Sequence, residues 1–477
     1  MLWVMVSRYE FPGRDQWFVT SYRELLGDDD AVWTMIEVVE GLDLSVVYDR
    51  YGPASGAGRP AFDPTMMMTL LLFGYLEGKR SSRELEAACR RDLAYQAICG
   101  GIRPDHATIA RFRVLVDDVV ESVFVQVIAE CDRRGMIDLE RLAIDGTKME
   151  AAASKESNHT GVFLDELHSR VRELLAETKE SDCDSGSDTG GASSGSGPGG
   201  GGWSPTRRQG ETLRKLDRVE QTQVEVDAAR QRRDVDLKRR GRRRTGEATA
   251  NVVDPESRLQ KTRDGWIQGY NAQAVVTGNQ IVVAAQVTAE TTDVGMFQTM
   301  INQAIENLET AGAGSPDGVI LADAGYWSAA NFEFGDHIDA ELLIATKKRS
   351  QIGVVDEIDP ATASHKARAR HAMETRLANN KDEYRQRGWL IEGTFAHTKT
   401  HRQIRRFQRR GLKACNAEWF LTLIAYNIGK IHRYQQHHQR GPGNPTRSDT
   451  SRTRHPRQHP YHQRHHRSPL PNRHPHR

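Results

Sequence analysis

Two apolar runs in this chain each end on a bare carboxylate. "RLAID" (141–145) ends on Asp145, and "GVILAD" (318–323) ends on Asp323. Strands buried on both faces read as continuous apolar runs, and ligand crevices in α/β sheets open at the carboxyl ends of such strands. If both runs lie near the middle of one sheet, the two acids project from neighbouring ends. Close carboxylates repel, and each raises the other's pKa unless a cation sits between them. Hard divalent ions need such oxygen ligands, and Mg²⁺ keeps positions open for water and substrate phosphate. A third acid on a flanking helix, Glu392 in "LIEGTF", would complete a site for two metals, one activating a nucleophile and one steadying a leaving oxygen. Each acid also has a plainer reading. Asp145-Gly146 is a common turn dipeptide, Asp323 could cap the helix at "SAANF", and Glu392 could be an ordinary surface acid. Asp293, in "TAETTDVGMF", is a rival acid whose expected role is to cap the helix starting at 294.

The elements that must position these acids follow from periodicity and caps. Residues 1–138 read as an all-helical domain. "FDPTMMMTLLLFGYLEG" has Asp63 as N-cap, Pro64 at the first helical position and Gly78 at the stop. "SSRELEAACRRDLAYQAIC" opens with a capping box, Ser81 and Glu84. A further helix starts at "PDHATIARFR" and stops near Gly135, with Ile109, Phe112, Val116, Val119, Val123 and Val127 on one face. These last two helices, joined by "GGIRPD", could form a helix-turn-helix that places Thr108, Arg111 and Arg113 near DNA. Residues 139–435 read as a second domain. Its first strand ends at Asp145, and an insertion at 150–260 follows. The insertion holds a Gly/Ser linker (181–202) and a stretch from Glu211 that is polar all round, expected as a solvated helix or disorder. Order returns at about 265 with a hairpin around Gly278–Asn279. A helix, the strand ending at Asp323, a short helix, the strand "AELLIATKK" and two helices complete the domain. The expected fold class is mixed α/β, a five-stranded mixed sheet flanked by helices and preceded by the helical domain. The first of the two last helices is expected to run through "YRQRGWLIEGTFAHTKTHRQIRRF". On it Lys399, Arg402 and Arg406 would continue the Glu392 face and hold phosphates, with steeply salt-dependent binding.

Composition limits the partners. The 477 residues carry a net charge of +2, but nine Arg and one Asp from Arg440 onward give the His/Arg/Pro-rich tail (436–477) about +8 and leave the rest near −6. Basic character in the body therefore comes from local clusters. Five cysteines, widely spaced and without a C-x-x-C pair, argue against a zinc ribbon or a disulfide framework and for a reducing compartment. The run "MMMTLLLFGYL" is too short to span a bilayer, and "MLWVMVSRYEF" too short for a signal peptide. The expected location is the cytoplasm, with no membrane partner.

Six strings, in order, resemble one family: "AFDPTMMMTLLLFGYLEGKRSSRELEAACRRDLAYQAI", "RPDHATIARFR", "AIDGTKMEAAAS", "GYNAQAVV", "ADAGYWS" and "YRQRGWLIEGTFAHTKTHRQIRRFQRRG". They resemble the DDE transposases of bacterial insertion sequences, in the group with a Tyr-Arg-Glu-Lys signature. The resemblance implies an RNase H-like catalytic domain with Asp145, Asp323 and Glu392 as catalytic metal ligands. Tyr384, Arg387 and Lys399 match the remaining signature positions and are thereby implied in DNA binding. Six residues separate Glu392 from Lys399, as in the family pattern; four separate Arg387 from Glu392, where the pattern has three. The implied cofactor is a pair of Mg²⁺ ions, with Mn²⁺ able to substitute. The implied partners are the double-stranded terminal inverted repeats and target DNA of the nucleoid, bound by a homodimer. Activated water would cut the transposon end to leave a 3′-hydroxyl, which attacks target DNA in line. Two other functions fit the same residues: a DNA-binding protein that recognises the ends but no longer cuts, and an RNase H-like nuclease without end specificity.

Overall fold

The computed structural model describes residues 21–51, 61–184, 207–240, 247–347, 349–359 and 361–439. The Gly/Ser linker and the basic tail expected from composition lie almost wholly outside the described residues. Eight described helices precede the first strand: α1 (Tyr22–Leu26), α2 (Ala31–Glu40), α3 (Ser45–Tyr51), α4 (Pro64–Glu77), α5 (Ser82–Arg91), α6 (Leu93–Ile98), α7 (His106–Val116) and α8 (Val120–Arg133). α4 starts and stops as its sequence dictates. Asp63 accepts from Met66 N at 2.8 Å, and Gly78 takes the left-handed conformation (φ 76°) that ends the helix. Its side chains are buried all round because α2, α3, α5, α6 and α7 enclose it. No helix among the described residues is long and apolar enough to cross a membrane.

Two expected helices are each broken in two. Asp92 turns extended (φ −117°, ψ 124°) and caps α6 by accepting from Ala94 N at 3.1 Å, which separates α5 from α6. Asp117 pairs with Arg409, and Val119 leaves the helical region (φ −123°), which separates α7 from α8.

The described strands are β1 (Arg141–Glu150), β2 (Asn158–Thr160), β3 (Thr249–Asn251), β4 (Arg258–Thr262), β5 (Gly265–Thr277), β6 (Val282–Thr288), β7 (Val319–Ala322) and β8 (Glu341–Ile344). β1 lies centrally, antiparallel to β5 on one side and parallel to β7 on the other, and β8 is parallel to β7. β6 and β4 share the far edge of β5, β6 against Asn271–Val276 and β4 against Gly265–Gly269. The main sheet therefore has six strands, not the expected five. β4, "RLQKT", escaped the sequence reading because it is a charged edge strand with one fully buried side chain, Gln260. The mixed α/β class itself holds, with order and parallelism as the RNase H-like expectation requires.

Within the insertion, α9 (Gly161–Asp184) packs on α10 (Arg207–Arg240), and β2 pairs with β3 beside them. α10 is not polar all round. Val219, Thr222 and Val226, at helical spacing, are buried, and Leu164, Ala248 and Ala250 share a small apolar cluster with the two valines. That narrow stripe is diluted by the charges around it, which hid it in the sequence. The remaining helices are α11 (Phe297–Ala311), α12 (Ala329–Phe334), α13 (His365–Asn379), α14 (Lys381–Ala396) and α15 (Leu412–Gln439). Three helices thus follow β8 where two were expected, α13 being the addition.

The helical and sheet portions share one core. Phe124 of α8 meets Phe420 of α15 edge-on at 5.2 Å. Arg80, between α4 and α5, donates to Glu418 of α15 at 2.6 Å, both side chains being buried. The chain as far as Arg433 forms a single unit, and Tyr434 onward a second.

Candidate active site

Strand register brings the first two acids together. Ile144 of β1 pairs with Ala322 of β7, so Asp145 and Asp323 each stand one residue beyond a matched pair. Neighbouring strands lie about 4.8 Å apart. The apolar residues before each acid are fully buried, which makes both positions rigid. Ala345 follows β8 at the same level, since Ala322 also pairs with Ile144's counterpart in β8, Ile344.

α14 is fastened across these strand ends. Arg141, at the start of β1, donates to Glu383 at 2.9 Å, and one turn further along α14 Arg387 donates to Asp145 Oδ2 at 3.2 Å. Tyr384, between them, donates its hydroxyl to Ala322 O at 3.1 Å, just below Asp323. Burial, with a smaller push from Asp323, raises the Asp145 carboxyl to about 6 against the downward pull of Arg387. Asp323 accepts from Gly325 N at 2.8 Å, so its capping role is real, though for a short turn at Ala324–Tyr326; Ser328 caps α12. Glu392 is exposed and folds back over Gly388, where a methyl group would already stand 3.4 Å from its Oε1.

Asp323, Tyr384, Arg387 and Glu392 line one cavity of about 640 Å³. Lys347, Lys381 and Arg385 line it too, and the sequence reading missed all three. Lys347 had a usable signal: it lies three residues past β8, the parallel strand next to the one that carries Asp323. Cations beside carboxylates suit a ligand that is itself anionic and arrives with a metal. Trp389, 67% exposed one turn before Glu392, was also passed over.

Several expected contacts are placed elsewhere. α14 ends at Ala396 and gives way to a π-turn, His397–His401, and then to extended chain in which Arg406 bridges to Glu150. The continuous basic face through Lys399, Arg402 and Arg406 therefore does not exist. Lys399 donates to Lys148 O at 2.7 Å, and burial draws its ammonium pKa down to about 8. Arg402 is 7% exposed and turns toward Thr422 O and Ala425 O of α15. Arg406 is exposed but donates to Ala151 O at 2.9 Å. In α7, Arg113 is buried on Arg80 O at 2.6 Å, so it is not offered to DNA. Arg111 is exposed and donates to Thr108 Oγ1, which in turn donates to the cap Asp105. The first helix of the expected helix-turn-helix is itself split into α5 and α6, and a glycine turn (Gly100 φ 55°, Gly101 φ 78°) follows α6 on the way to α7.

Comparison with known families settles the class. Residues 227–428 match the family described as transposase DDE domain, and residues 20–115 match a transposase domain family. The chain belongs to the DDE transposases. Asp323 and Glu392 fall inside the DDE match, whereas Asp145 precedes it. No curated protein and no solved structure matches the chain. The family's chemistry is metal-dependent polynucleotidyl transfer. The transposase offers a donor set of carboxylate oxygens alone, which suits a hard divalent ion. Arg387 already supplies positive charge where such an ion would be needed, its guanidinium facing both Asp145 and Asp323. The donor chemistry thus fits, although among the described residues no three Asp, Glu, His or Cys side chains close around a common point.

Proposed function

We propose that this transposase cuts the ends of an insertion sequence and joins them to target DNA, with Asp145, Asp323 and Glu392 as the carboxylates of a two-Mg²⁺ centre in which Mn²⁺ can substitute. The observation that carries the reading is the register of β1 and β7, with Asp145 and Asp323 on adjacent strands one residue past a matched pair. Support also comes from the cavity that Asp323 shares with Glu392. Bound ions supply Lewis acidity at the scissile phosphate. The chain's own side chains do the rest. Arg387 orients Asp145 and keeps its carboxylate charged, and Lys381 and Arg385 hold the phosphodiester backbone at the cavity mouth, while Lys347 is held by Asp356 and Glu374. Arg111 and Thr108 on the exposed face of α7 contact the terminal repeats. Two ends must be brought to one target, so the working form is a homodimer on double-stranded DNA, acting in the cytoplasm on the nucleoid.

The test uses full-length protein, a labelled duplex carrying the element's ends, and Mg²⁺ or Mn²⁺. Asp145→Asn, Asp323→Asn and Glu392→Gln should each slow cleavage about a thousandfold, about 4 kcal/mol of lost transition-state stabilisation. Duplex affinity should stay within about threefold. Near-normal cleavage by any variant removes that residue from the centre. Wild-type binding without nicking favours an end-binding protein that no longer cuts, and nicking without end preference favours an RNase H-like nuclease.

A further inference from the structure

One acid beside this centre has no part in the mechanism above. Asp293 precedes the short turn Val294–Met296, yet its side chain makes no capping hydrogen bond to it. The carboxylate turns instead toward the sheet end that carries Asp145 and Asp323. Its Oδ1 takes every donor: Asn271 Nδ2 at 2.6 Å, Gln273 Nε2 at 2.9 Å and Lys148 Nζ at 3.4 Å. Among the described residues no hydrogen bond reaches Oδ2. Gln273 is held in turn by the Tyr326 hydroxyl, so a buried polar network fixes the carboxylate from one side only.

The open side faces Asp323. A Cβ built on Gly325 would stand 3.0 Å from Asp323 Oδ1 and 3.1 Å from Asp293 Oδ2, so these two oxygens flank one small space. On the other side, a Cβ on Gly146, the residue after Asp145, would collide with Gln273 Nε2 and stand 2.7 Å from Asp293 Oδ1 and 2.9 Å from Asn271 Oδ1, so the Oδ1 side is closed by packing. Asn271 is 0% exposed, and its Oδ1, packed against Gly146 beside the Asp293 carboxylate, has no partner. Facing carboxylates repel, and a cation between Asp293 Oδ2 and Asp323 Oδ1 relieves that repulsion.

Building on the metal-centre reading, we infer that Asp293 is a fourth carboxylate of that centre, presenting Oδ2 beside Asp323 to a divalent ion while Asn271, Gln273 and Lys148 hold Oδ1. Asparagine at this position keeps the acceptor for those three donors and removes the charge. Mn²⁺ binding to the DNA-free full chain, followed by calorimetry, should therefore weaken about tenfold or more in Asp293→Asn, with the melting temperature close to wild type. Asp145→Asn and Asp323→Asn should weaken it as well. If those two lose Mn²⁺ while Asp293→Asn binds within twofold of wild type, this inference falls and the triad stands. If all three variants bind normally, or the wild type takes up no Mn²⁺, the metal-centre reading falls and takes this one with it. A readout that needs no variant is Fe²⁺-directed backbone scission of the wild-type chain with ascorbate and peroxide. Breaks beside residues 145, 293 and 323 are expected. Breaks at 145 and 323 with none near 293 would overturn the assignment even if Asp293→Asn failed to fold.

Discussion

At the scale of single residues, the two glycines that follow the acids do as much to shape the site as the acids do. A methyl group on Gly146 would collide with Gln273 Nε2 and press on Asp293 and Asn271, all in a fully packed network. Gly146→Ala should therefore destabilise the fold by about 1–3 kcal/mol, the usual cost of overpacking, and should abolish cleavage by displacing Asp145. Urea denaturation and the cleavage assay read the two effects separately. Tyr384→Phe removes one buried hydrogen bond, to Ala322 O. It should cost about 1 kcal/mol in the same denaturation measurement, because the ring remains packed and the carbonyl loses its only side-chain donor from α14.

At the scale of elements, α14 and the π-turn after it divide the labour. The exposed stripe of α14 carries Arg385, Trp389 and Glu392, whereas Lys399 in the turn and Arg402 just after it fold inward. Arg385→Ala and Lys381→Ala should each lower the salt slope of DNA binding by about one, as expected for a lost phosphate contact, and Arg402→Met should leave the slope unchanged. A reduced slope for Arg402→Met would show that its guanidinium reaches DNA after all. The turn also carries a pH dependence. His397 packs edge-on against Tyr426 at 5.5 Å, and burial, reinforced by Arg402 and Arg433, draws its pKa down to about 4 from the usual 6.5. The folded chain keeps this imidazole neutral, whereas the unfolded chain protonates it below about 6.5. Its contribution to stability is therefore lost as pH falls from about 6.5 to about 4. His397→Gln should flatten the stability profile across that window, and an unchanged profile would contradict the assignment.

At the scale of the whole molecule, the helical portion is bolted to the catalytic sheet through buried charge. Glu418 accepts from Arg80 and from the backbone N–H groups of Gln408 and Arg409, and Arg409 pairs with Asp117. Glu418→Ala leaves Arg80 buried and uncompensated, and should cost about 3–5 kcal/mol in urea denaturation. Replacing both partners with Met should restore much of that loss. The transposase thus holds its helical and sheet portions together through buried side chains at the end of α7, in and just before α15, and at the α4–α5 junction. A Glu418→Ala variant that is folded but cleaves at altered positions would report that coupling directly.

What the sequence determined by itself was local or periodic. Apolar runs named β7 and the start of β1, Gly278–Asn279 named the hairpin, Asp63, Pro64 and Gly78 bounded α4, and six ordered strings named the family. Carboxylates at the ends of buried strands stood out because an uncompensated acid is costly there, so Asp145 and Asp323 were legible in advance. Tertiary structure decided the rest, because partners distant along the chain set the outcome. The helix expected through Val119 was broken beside the Asp117–Arg409 pair, Arg402 was turned inward onto α15, and Asp293 was taken from its cap by Asn271 and Gln273. A charge's sign can be read from a sequence, but whether it faces water, a carbonyl or another charge depends on which remote surfaces close over it.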